Sequence, residues 1–559
     1  MAENELANLK SALSMMIGDK IMNREELAGM IAFNSKMLSF SPTEEEVDHL
    51  IAELEAARLW RMGEGISIVA EDHVAWLDER TSQIDWKRWD AYSNFVLSSG
   101  SMGVRVIDSM DKRNSKILDL TGDPSSPGNW ARRGLVIGDV QSGKTANYLA
   151  LFNKAADAGY KIFILLAGDK ESLRRQTQGR VDKGFVGLDS KTRRTNKATQ
   201  YGSAEVIGVG KSEKFRVAHS LTSFFEDFNY SKADQFLNLD GSDVPFVFVI
   251  KKNRTILKNL ATFIKNSNVS KSKIDAPMLL IDDEADYASL NTRSADQDPT
   301  AINQGIRELL GVFSKSSYVG FTATPFANVL VDDESESDLF PRDFIYSLES
   351  PSNYFGPSSM FDDESLKLGF INVLDDIEDE IPFRHKSGYY VENLPESLKR
   401  ALRCFFLANA IRDLRPNQVA EPRSMMVNVS RFRNVQERVF DLLDTERAEL
   451  IRELKFSKRG DTEPIWASFK ETFEENFSLV QETWSEVSAS LVDSVSGIQA
   501  FIVNSSGKSS EWATAYEGYR PRIIAVGGDI LSRGLTLEGL MTSYFYRRSL
   551  AYDTVMQQG

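Results

Sequence analysis

Two short segments carry the residues that nucleotide phosphate chemistry requires. Residues 138–145 read GDVQSGKT, which satisfies the pattern G-x-x-x-x-G-K-[S/T] of the phosphate-binding loop. Residues 279–286 read LLIDDEAD, an apolar run that ends in adjacent carboxylates. A buried strand of this kind can deliver acids to a magnesium-bound phosphate. The two segments together therefore predict a protein that binds and hydrolyses ATP with Mg²⁺.

The phosphate-binding loop predicts a role for each of its polar positions. Gly138 and Gly143 let successive backbone N–H groups face the β-phosphate. Lys144 should reach the β- and γ-phosphates, and the Thr145 hydroxyl should coordinate magnesium. The loop follows an apolar segment and opens a predicted helix, whose N-terminus adds a favourable dipole. The other predicted nucleotide-binding positions in the loop are Gln141 and Ser142.

The acidic segment predicts the groups that act on the γ-phosphate. Asp283 should hold the magnesium ion, which makes it a metal-binding residue together with Thr145. Glu284 should orient and deprotonate the attacking water, because in-line attack mostly requires positioning and charge neutralisation. Five apolar or small residues and one proline precede the acids at 276–281, so an exposed acidic turn is the weaker interpretation.

Segments further along the chain resemble those of superfamily-two helicases. Residues 321–326 read FTATPF, and the resemblance implies that Thr322 and Thr324 hydrogen-bond back to Asp286 and couple hydrolysis to lobe movement. Residues 527–540, GGDILSRGLTLEGL, resemble A-T-D-x-x-x-R-G-x-D, with Arg533 as the matching catalytic arginine. Thr536 stands where that pattern has an aspartate, so the contact of that aspartate is not expected here.

The end of the chain, YDTVMQQG, resembles the start of the last helicase segment, Q-x-x-G-R-x-x-R. The sequence stops at Gly559, before any such arginine. An arginine finger can supply about 10³–10⁵ in rate. The resemblance therefore implies an N-terminal fragment that binds ATP far better than it hydrolyses it.

Basic residues after two predicted strands are the candidates for nucleic-acid contacts. The alternative interpretation of each basic pair is a solvated surface. Several cations acting together could neutralise the phosphates of a bound strand. The candidates are Arg174, Arg175 and Arg180 in GDKESLRRQTQGR, and Lys251 and Lys252 in VIKKN.

Composition excludes some classes of protein. The net charge of -15 argues against a protein that coats nucleic acid through its overall charge, although a local basic channel remains compatible with it. No apolar run approaches the roughly 20 residues that span a bilayer, so no membrane partner is expected. The single cysteine excludes an intramolecular disulfide and fits a reducing cytoplasm.

Apolar runs rich in β-branched residues alternate with helical stretches, which predicts an α/β fold with parallel sheets buried on both faces. The fold class is two RecA-like lobes with an N-terminal helical domain and a helical insertion in the second lobe. The predicted strands are 134–140, 161–168, 204–210, 246–252, 276–284, 318–324, 424–430, 498–505, 522–529 and 541–549. The predicted domains are 1–130 (helical), 131–345 (first lobe), 346–395 (acidic linker) and 396–559 (second lobe, insertion 435–496).

Together these motifs resemble the Z-one-domain proteins, which are superfamily-two helicase-like ATPases of bacterial restriction-type and phage-defence gene clusters. The resemblance extends from about residue 117 to residue 559. It implies association with MutL-like ATPases, nuclease-domain proteins and DNA methyltransferases. The endonuclease label that the family carries has no support here, since the chain contains no convincing PD-(D/E)-x-K or H-N-H arrangement.

The sequence therefore predicts an ATP-dependent DNA translocase or helicase subunit of a restriction or anti-phage defence system. A different class remains open, namely an ATP-gated module that clamps DNA or a partner protein without unwinding. An RNA-directed remodeller is a third alternative. Helicase motifs do not distinguish these possibilities, because all of them use the same two lobes.

Overall fold

Eight strands of the computed structural model form one large sheet around the predicted phosphate-binding loop, in the order β1-β8-β2-β7-β6-β3-β5-β4. Every neighbouring pair is parallel except β1 and β8, which are antiparallel. The strands are β1 (Ile66–Val69), β2 (Trp130–Ile137), β3 (Ile162–Ala167), β4 (His219–Ser220), β5 (Phe246–Ile250), β6 (Met278–Asp283), β7 (Lys315–Thr322) and β8 (Phe344–Ser347).

The structure describes most of the chain, with gaps. The described ranges are 24–37, 66–99, 102–139, 143–192, 204–212, 215–231, 241–267, 273–286, 300–325, 339–349, 370–415, 421–460, 462–503, 522–528 and 537–546, together with a few single residues. Within these ranges, no helix is long and apolar enough to cross a membrane.

Helices cover both faces of the large sheet, and its central strands β3, β5 and β6 are therefore almost completely buried. One face packs on α3 (Lys87–Ser98), α4 (Val104–Leu120) and α5 (Lys144–Ala158). The opposite face packs on α7 (Arg254–Asn266) and α8 (Ala301–Leu310). Between α5 and α7 in the chain lies α6 (Glu171–Val181), which continues into a π-helical turn at Asp182–Val186.

The second sheet is smaller and wholly parallel, with the strand order β10-β11-β9-β12. Its strands are β9 (Arg423–Asn428), β10 (Gln499–Val503), β11 (Arg522–Gly527) and β12 (Leu540–Phe545). Its helices are α10 (Glu396–Leu414), α11 (Arg433–Phe456), α12 (Pro464–Asn476) and α13 (Trp484–Val495). Two parallel sheets flanked by helices confirm the predicted α/β class, including the helices inserted between β9 and β10.

The N-terminal region contributes to the first sheet directly. Short helices and a strand precede the first lobe: α1 (Arg24–Met37), β1 and α2 (Leu77–Arg80). Side chains of α3 and α4 belong to the same hydrophobic cluster as those of β2, β3 and α5. Similarly, α9 (Ile377–Glu380) in the acidic stretch buries Ile377 in the cluster of the second sheet. The domain boundaries predicted at 130, 345 and 395 stay predictions.

One predicted strand is wrong. The segment 204–210, AEVIGVG, forms a 3₁₀ turn at Gly208–Lys211 with one isolated bridge between Val206 and Leu188. Gly208 has a φ of 51°, and a Cβ there would lie 1.9 Å from the Lys183 carbonyl oxygen. A left-handed glycine packed this closely on backbone cannot continue a strand, although the local composition is β-like.

A carboxylate of α5 caps the N-terminus of α3. Asp157 accepts hydrogen bonds from the backbone N–H groups of Arg88 (3.0 and 3.1 Å) and Trp89 (2.9 Å). These N–H groups belong to the first turn of α3, which has no partner of its own for them. Burial raises the pKa of Asp157 to about 7. The cap therefore joins the N-terminal helices to the helix that follows the phosphate-binding loop.

We predict that Asp157→Ala lowers the free energy of unfolding by about 1–2 kcal/mol, and that Asp157→Asn costs less because an acceptor oxygen remains. A raised folded-state pKa means that the wild type loses stability as pH rises from about 4 to about 7. The Asn variant lacks this contribution. Unfolding temperatures of the three proteins at about pH 5 and about pH 8 test this. An identical pH dependence in wild type and Asp157→Asn would contradict it.

Candidate functional site

A cavity of about 780 Å³ lies where the carboxyl ends of β2, β3, β6 and β7 meet the second sheet. Parallel strands bring their carboxyl ends to one edge of a sheet, which is where open α/β folds bind ligands. Second-lobe side chains, among them Met426, Leu537 and Leu540, close the opposite side. The predicted site residues that line this cavity are Gly143, Lys144, Thr145, Asp283, Glu284 and Thr322 of the predicted ATP site, and Arg180 of the predicted nucleic-acid site.

The phosphate-binding loop ends at Gly143, which has a φ of 91° and starts α5. A side chain is strained at this φ, so glycine is required for the turn into the helix. The Lys144 ammonium donates to the carbonyl oxygens of Gly138 (3.1 Å) and Asp139 (2.9 Å). Gly138 itself donates its N–H to the Thr322 carbonyl oxygen at the end of β7 (3.0 Å). Gln141 and Ser142 lie outside the described residues.

Electrostatics connect the lysine to the acids across the cavity. Burial lowers the pKa of Lys144, while the charges of Asp283 and Glu284 oppose that shift. Burial likewise raises the pKa of Asp283, and Lys144 is the foremost group that opposes it. The loop amine and the acid pair therefore line a single cavity, and their roles in nucleotide chemistry stay predictions.

Glu284 lies in an unusual backbone conformation directly after β6. Its φ is 55°, and it is the only non-glycine residue with a positive φ in the described part of the chain. Such residues cost of order 1–3 kcal/mol and concentrate at functional sites. Burial, followed by the nearby charge of Asp283, raises the pKa of Glu284 to about 7. A carboxylate with this pKa is suited to accept a proton near neutral pH.

The buried side chain of Lys252 stabilises the turn at Glu284. The Lys252 ammonium forms an ion pair with Asp282 at 2.8 Å, and both side chains are 0% exposed. The same ammonium donates to the Glu284 carbonyl oxygen at 2.6 Å. The Tyr318 hydroxyl donates to the other Asp282 oxygen at 2.7 Å. The prediction that Lys252 contacts nucleic acid is therefore wrong, because the side chain is enclosed and neutralised inside the protein.

The T-A-T segment makes the hydrogen bonds that its resemblance predicts. The Thr322 hydroxyl donates to Asp286 Oδ1 at 2.8 Å, and the Thr324 hydroxyl donates to Asp286 Oδ2 at 2.9 Å. The backbone N–H of Thr324 also donates to the Thr322 hydroxyl oxygen at 2.9 Å. Both oxygens of one carboxylate are thus occupied by β7 and the turn after it. The proposed role in coupling stays a prediction.

The other predicted nucleic-acid contacts lie in different environments. Arg174 is 0% exposed and donates to Glu171 and to the carbonyl oxygens of Ser223 and Phe224. It stabilises the fold, and its assignment to a bound strand is wrong for the same reason as that of Lys252. Arg175 and Lys251 are partly exposed and pair with Glu171 at 3.3 and 2.9 Å. Their role stays a prediction.

Arg180 lies inside the cavity. Its Nη1 donates to the Thr145 hydroxyl oxygen at 3.2 Å, and its charge lowers the pKa of Asp283. The sequence placed this residue on the path of a nucleic-acid strand, whereas the structure places it beside the predicted metal ligand. Arg533, the predicted catalytic arginine of the second lobe, lies outside the described residues.

An apolar arm of the cavity was not predicted from the sequence. It is formed by Phe95 and Val96 of α3, Met102, Leu149 of α5 and the neighbouring Gly184. A Cβ at Gly184 would lie 3.0 Å from Leu149 and 3.2 Å from the Tyr92 ring, so this wall is closely packed. Tyr92 and Val96 of α3 are buried and also line the cavity, so one helix face both packs on the core and borders the cavity.

Comparison with known proteins gives one family match. The Z1 domain model matches residues 397–559, which contain the second sheet. No curated protein matches the chain in sequence.

Three solved structures resemble parts of this chain. The S. cerevisiae Dbp5 structure bound to RNA and ADP BeF3 is 12% identical, with a TM-score of 0.33, over 80% of this chain and 78% of that chain. The ATP-dependent Type ISP restriction-modification enzyme LlaBIII bound to DNA is 12% identical, with a TM-score of 0.32, over 74% and 24%. The Pyrococcus furiosus Hef helicase domain is 11% identical, with a TM-score of 0.27, over 73% and 85%.

We predict that Lys252→Met destabilises the protein by about 3–5 kcal/mol, because it leaves the buried Asp282 carboxylate without its counter-charge. Lys251→Met is the matched control, since the Lys251–Glu171 pair is partly exposed and such pairs contribute only about 0–1 kcal/mol. The measurement is the unfolding temperature of each full-length variant. Equal unfolding temperatures for the two variants would show that the Lys252–Asp282 ion pair does not stabilise the protein more than the partly exposed pair does.

Proposed function

We propose that this chain is an ATP hydrolase of the helicase or translocase type that acts on nucleic acid. The single observation that carries the proposal is the cavity in which Lys144 and Thr145 face Asp283 and Glu284. A triphosphate there would meet the cationic loop on one side and the acids on the other. The second sheet borders the same cavity, so nucleotide binding and lobe position would depend on each other.

Magnesium fits the donors present. The Thr145 hydroxyl and the Asp283 carboxylate are hard oxygen ligands in one cavity, and magnesium commonly takes one or two protein oxygens together with substrate phosphates and water. When bound, the ion would neutralise charge on the phosphates. Lys144 would exchange its contacts with the Gly138 and Asp139 carbonyls for phosphate oxygens. Glu284 would hold the attacking water and accept its proton.

The apolar arm is suited to the base of the nucleotide. Phe95 and Met102 are partly buried, whereas Val96 and Leu149 are buried. Ligand pockets typically combine such apolar walls with a few polar groups that fix orientation. We therefore propose that α3 and Met102, from the N-terminal region, help to complete the ATP site.

Asp286 is the proposed link between nucleotide state and polymer. Its carboxylate is held by Thr322 and Thr324 and belongs to the same turn as Glu284. Movement of the acids on hydrolysis would therefore be transmitted to the turn after β7. Arg533 would approach the phosphates from the second lobe.

DNA is the polymer that we propose, in a cytoplasmic restriction or anti-phage defence system of bacteria. The Z1 domain match over residues 397–559 supports the resemblance on which this rests. A MutL-like ATPase, a nuclease and a DNA methyltransferase are the proposed partner proteins.

One observation favours a second candidate, the ATP-gated binding module that does not unwind. Of the five cations predicted to contact a strand, Arg174 and Lys252 are enclosed by the protein, and Arg180 lies beside Thr145. Fewer cations are therefore available along the first lobe for gripping a moving strand.

We predict that Lys144→Ala abolishes ATP binding or turnover, because the substitution removes the loop amine that would contact the phosphates. The measurement is ATP hydrolysis by the full-length protein alone and with single-stranded DNA, duplex DNA or RNA.

Stimulation of hydrolysis by DNA supports the first candidate function, whereas stimulation by RNA alone would mean that the polymer is RNA. Strand displacement distinguishes unwinding from the binding module. Unchanged hydrolysis in Lys144→Ala would refute the ATP site.

We predict that Glu284→Gln retains ATP binding but slows hydrolysis by about 10²-fold or more, since the amide cannot accept the proton from water. The variant should accumulate the ATP-bound state. Nucleotide retained after rapid gel filtration, identified as ATP or ADP, gives the readout. Release of ADP at the wild-type rate would show that another group acts as the base.

A further inference from the structure

Two cations that line the cavity, Lys183 and Arg180, have no part in the proposed chemistry, and Arg180 is the less exposed of the two. It belongs to the last turn of α6, partly buried, and its guanidinium donates to the Thr145 hydroxyl oxygen at 3.2 Å. Arg174 and Arg175, earlier in the same helix, each pair with Glu171. Within the described ranges Arg180 makes no salt bridge, and its guanidinium borders open cavity space beside Lys144 and Asp283.

The position of Arg180 is informative because Thr145 is the predicted metal ligand. The hydroxyl oxygen that would face the ion now accepts from the guanidinium. Lys252 is already paired with Asp282 at 2.8 Å. Lys144, Arg180 and the exposed Lys183 are therefore the cations of the cavity that can meet an incoming anion, and Arg180 is in direct contact with the predicted metal ligand.

We propose that Arg180, whose guanidinium contacts Thr145, is a phosphate-binding residue that donates to the phosphate oxygens of the bound nucleotide. The proposal rests on the ATP site proposed above. A guanidinium can donate two parallel N–H groups to one phosphate, and it stays charged at any physiological pH. The first lobe would then grip the triphosphate with two cations of its own, one from the loop and one from α6.

The test is the affinity of the full-length protein for a fluorescent N-methylanthraniloyl ATP with Mg²⁺. Removing a hydrogen bond to a charged group should weaken binding by about 10- to 100-fold in Arg180→Gln. Arg180→Lys should recover part of this loss, because it retains charge without the planar fork. Arg254→Gln, which removes an exposed arginine at the start of α7, should bind as the wild type does.

A merely structural role predicts a different pattern. Arg180→Gln would then lower the unfolding temperature without nucleotide, and Arg180→Lys would not rescue ATP binding. If Arg180 instead only occupies the place of the metal, Arg180→Gln would bind the nucleotide more tightly or at lower Mg²⁺. Either result, or wild-type affinity in Arg180→Gln, overturns the proposal.

Lys144→Ala separates this inference from the proposed function. Loss of binding in Lys144→Ala together with wild-type binding in Arg180→Gln would overturn the role of Arg180 alone. Wild-type binding in Lys144→Ala would mean that the nucleotide does not occupy this cavity, and both proposals would then fail.

Discussion

The buried ion pair between Lys252 and Asp282 is the interaction on which the site geometry depends. An isolated charge at either position would be costly, and even a buried pair regains its desolvation only with good geometry and further hydrogen bonds. Those bonds are present: Tyr318 donates to Asp282, and the Lys252 ammonium donates to the Glu284 carbonyl oxygen. The backbone N–H of Lys252 donates to the Gly168 carbonyl oxygen. The ends of β3, β5, β6 and β7 are therefore connected around one charge pair.

This arrangement explains how an acidic residue can keep a positive φ. The carbonyl of Glu284 is held by an enclosed ammonium, so the surrounding structure fixes a backbone conformation that is unfavourable in itself. The adjacent Ala285 donates its N–H to the Phe321 carbonyl oxygen (3.0 Å), and Asp286 is held by two threonine hydroxyls. The backbone at Glu284 and Ala285 and the carboxylate of Asp286 are thus fixed by hydrogen bonds to neighbouring elements, which is the preorganisation that charge-stabilising sites require.

The sequence was informative where a motif combines strict residue types with a defined structural position. The loop at 138–145 and the acids after β6 were predicted because a glycine, a lysine and acids at the ends of apolar strands have few other uses. Basic residues were predicted less well. Lys251 and Lys252 are neighbours of identical type, yet one is partly exposed and the other fully enclosed. Both residues follow the end of β5 at Ile250, so no strand periodicity sets their direction. Lys252 is enclosed because of its tertiary contacts with Asp282 and the Glu284 carbonyl oxygen, which the sequence does not reveal. The bend at 204–210 was missed because glycine conformation depends on the tertiary contact with Lys183.

The packing of α3 against α5 has a consequence for the evolution of this chain. The wall of the cavity opposite the acids comes from residues about 40 positions before the phosphate-binding loop, and a carboxylate at the far end of α5 caps the helix that carries them. The cavity is therefore assembled from segments distant in the chain. Insertions between α4 and β2 would be tolerated only if they preserved the packing of α3 against α5. Amino-acid substitutions on the exposed face of α3 would leave the cavity unaltered.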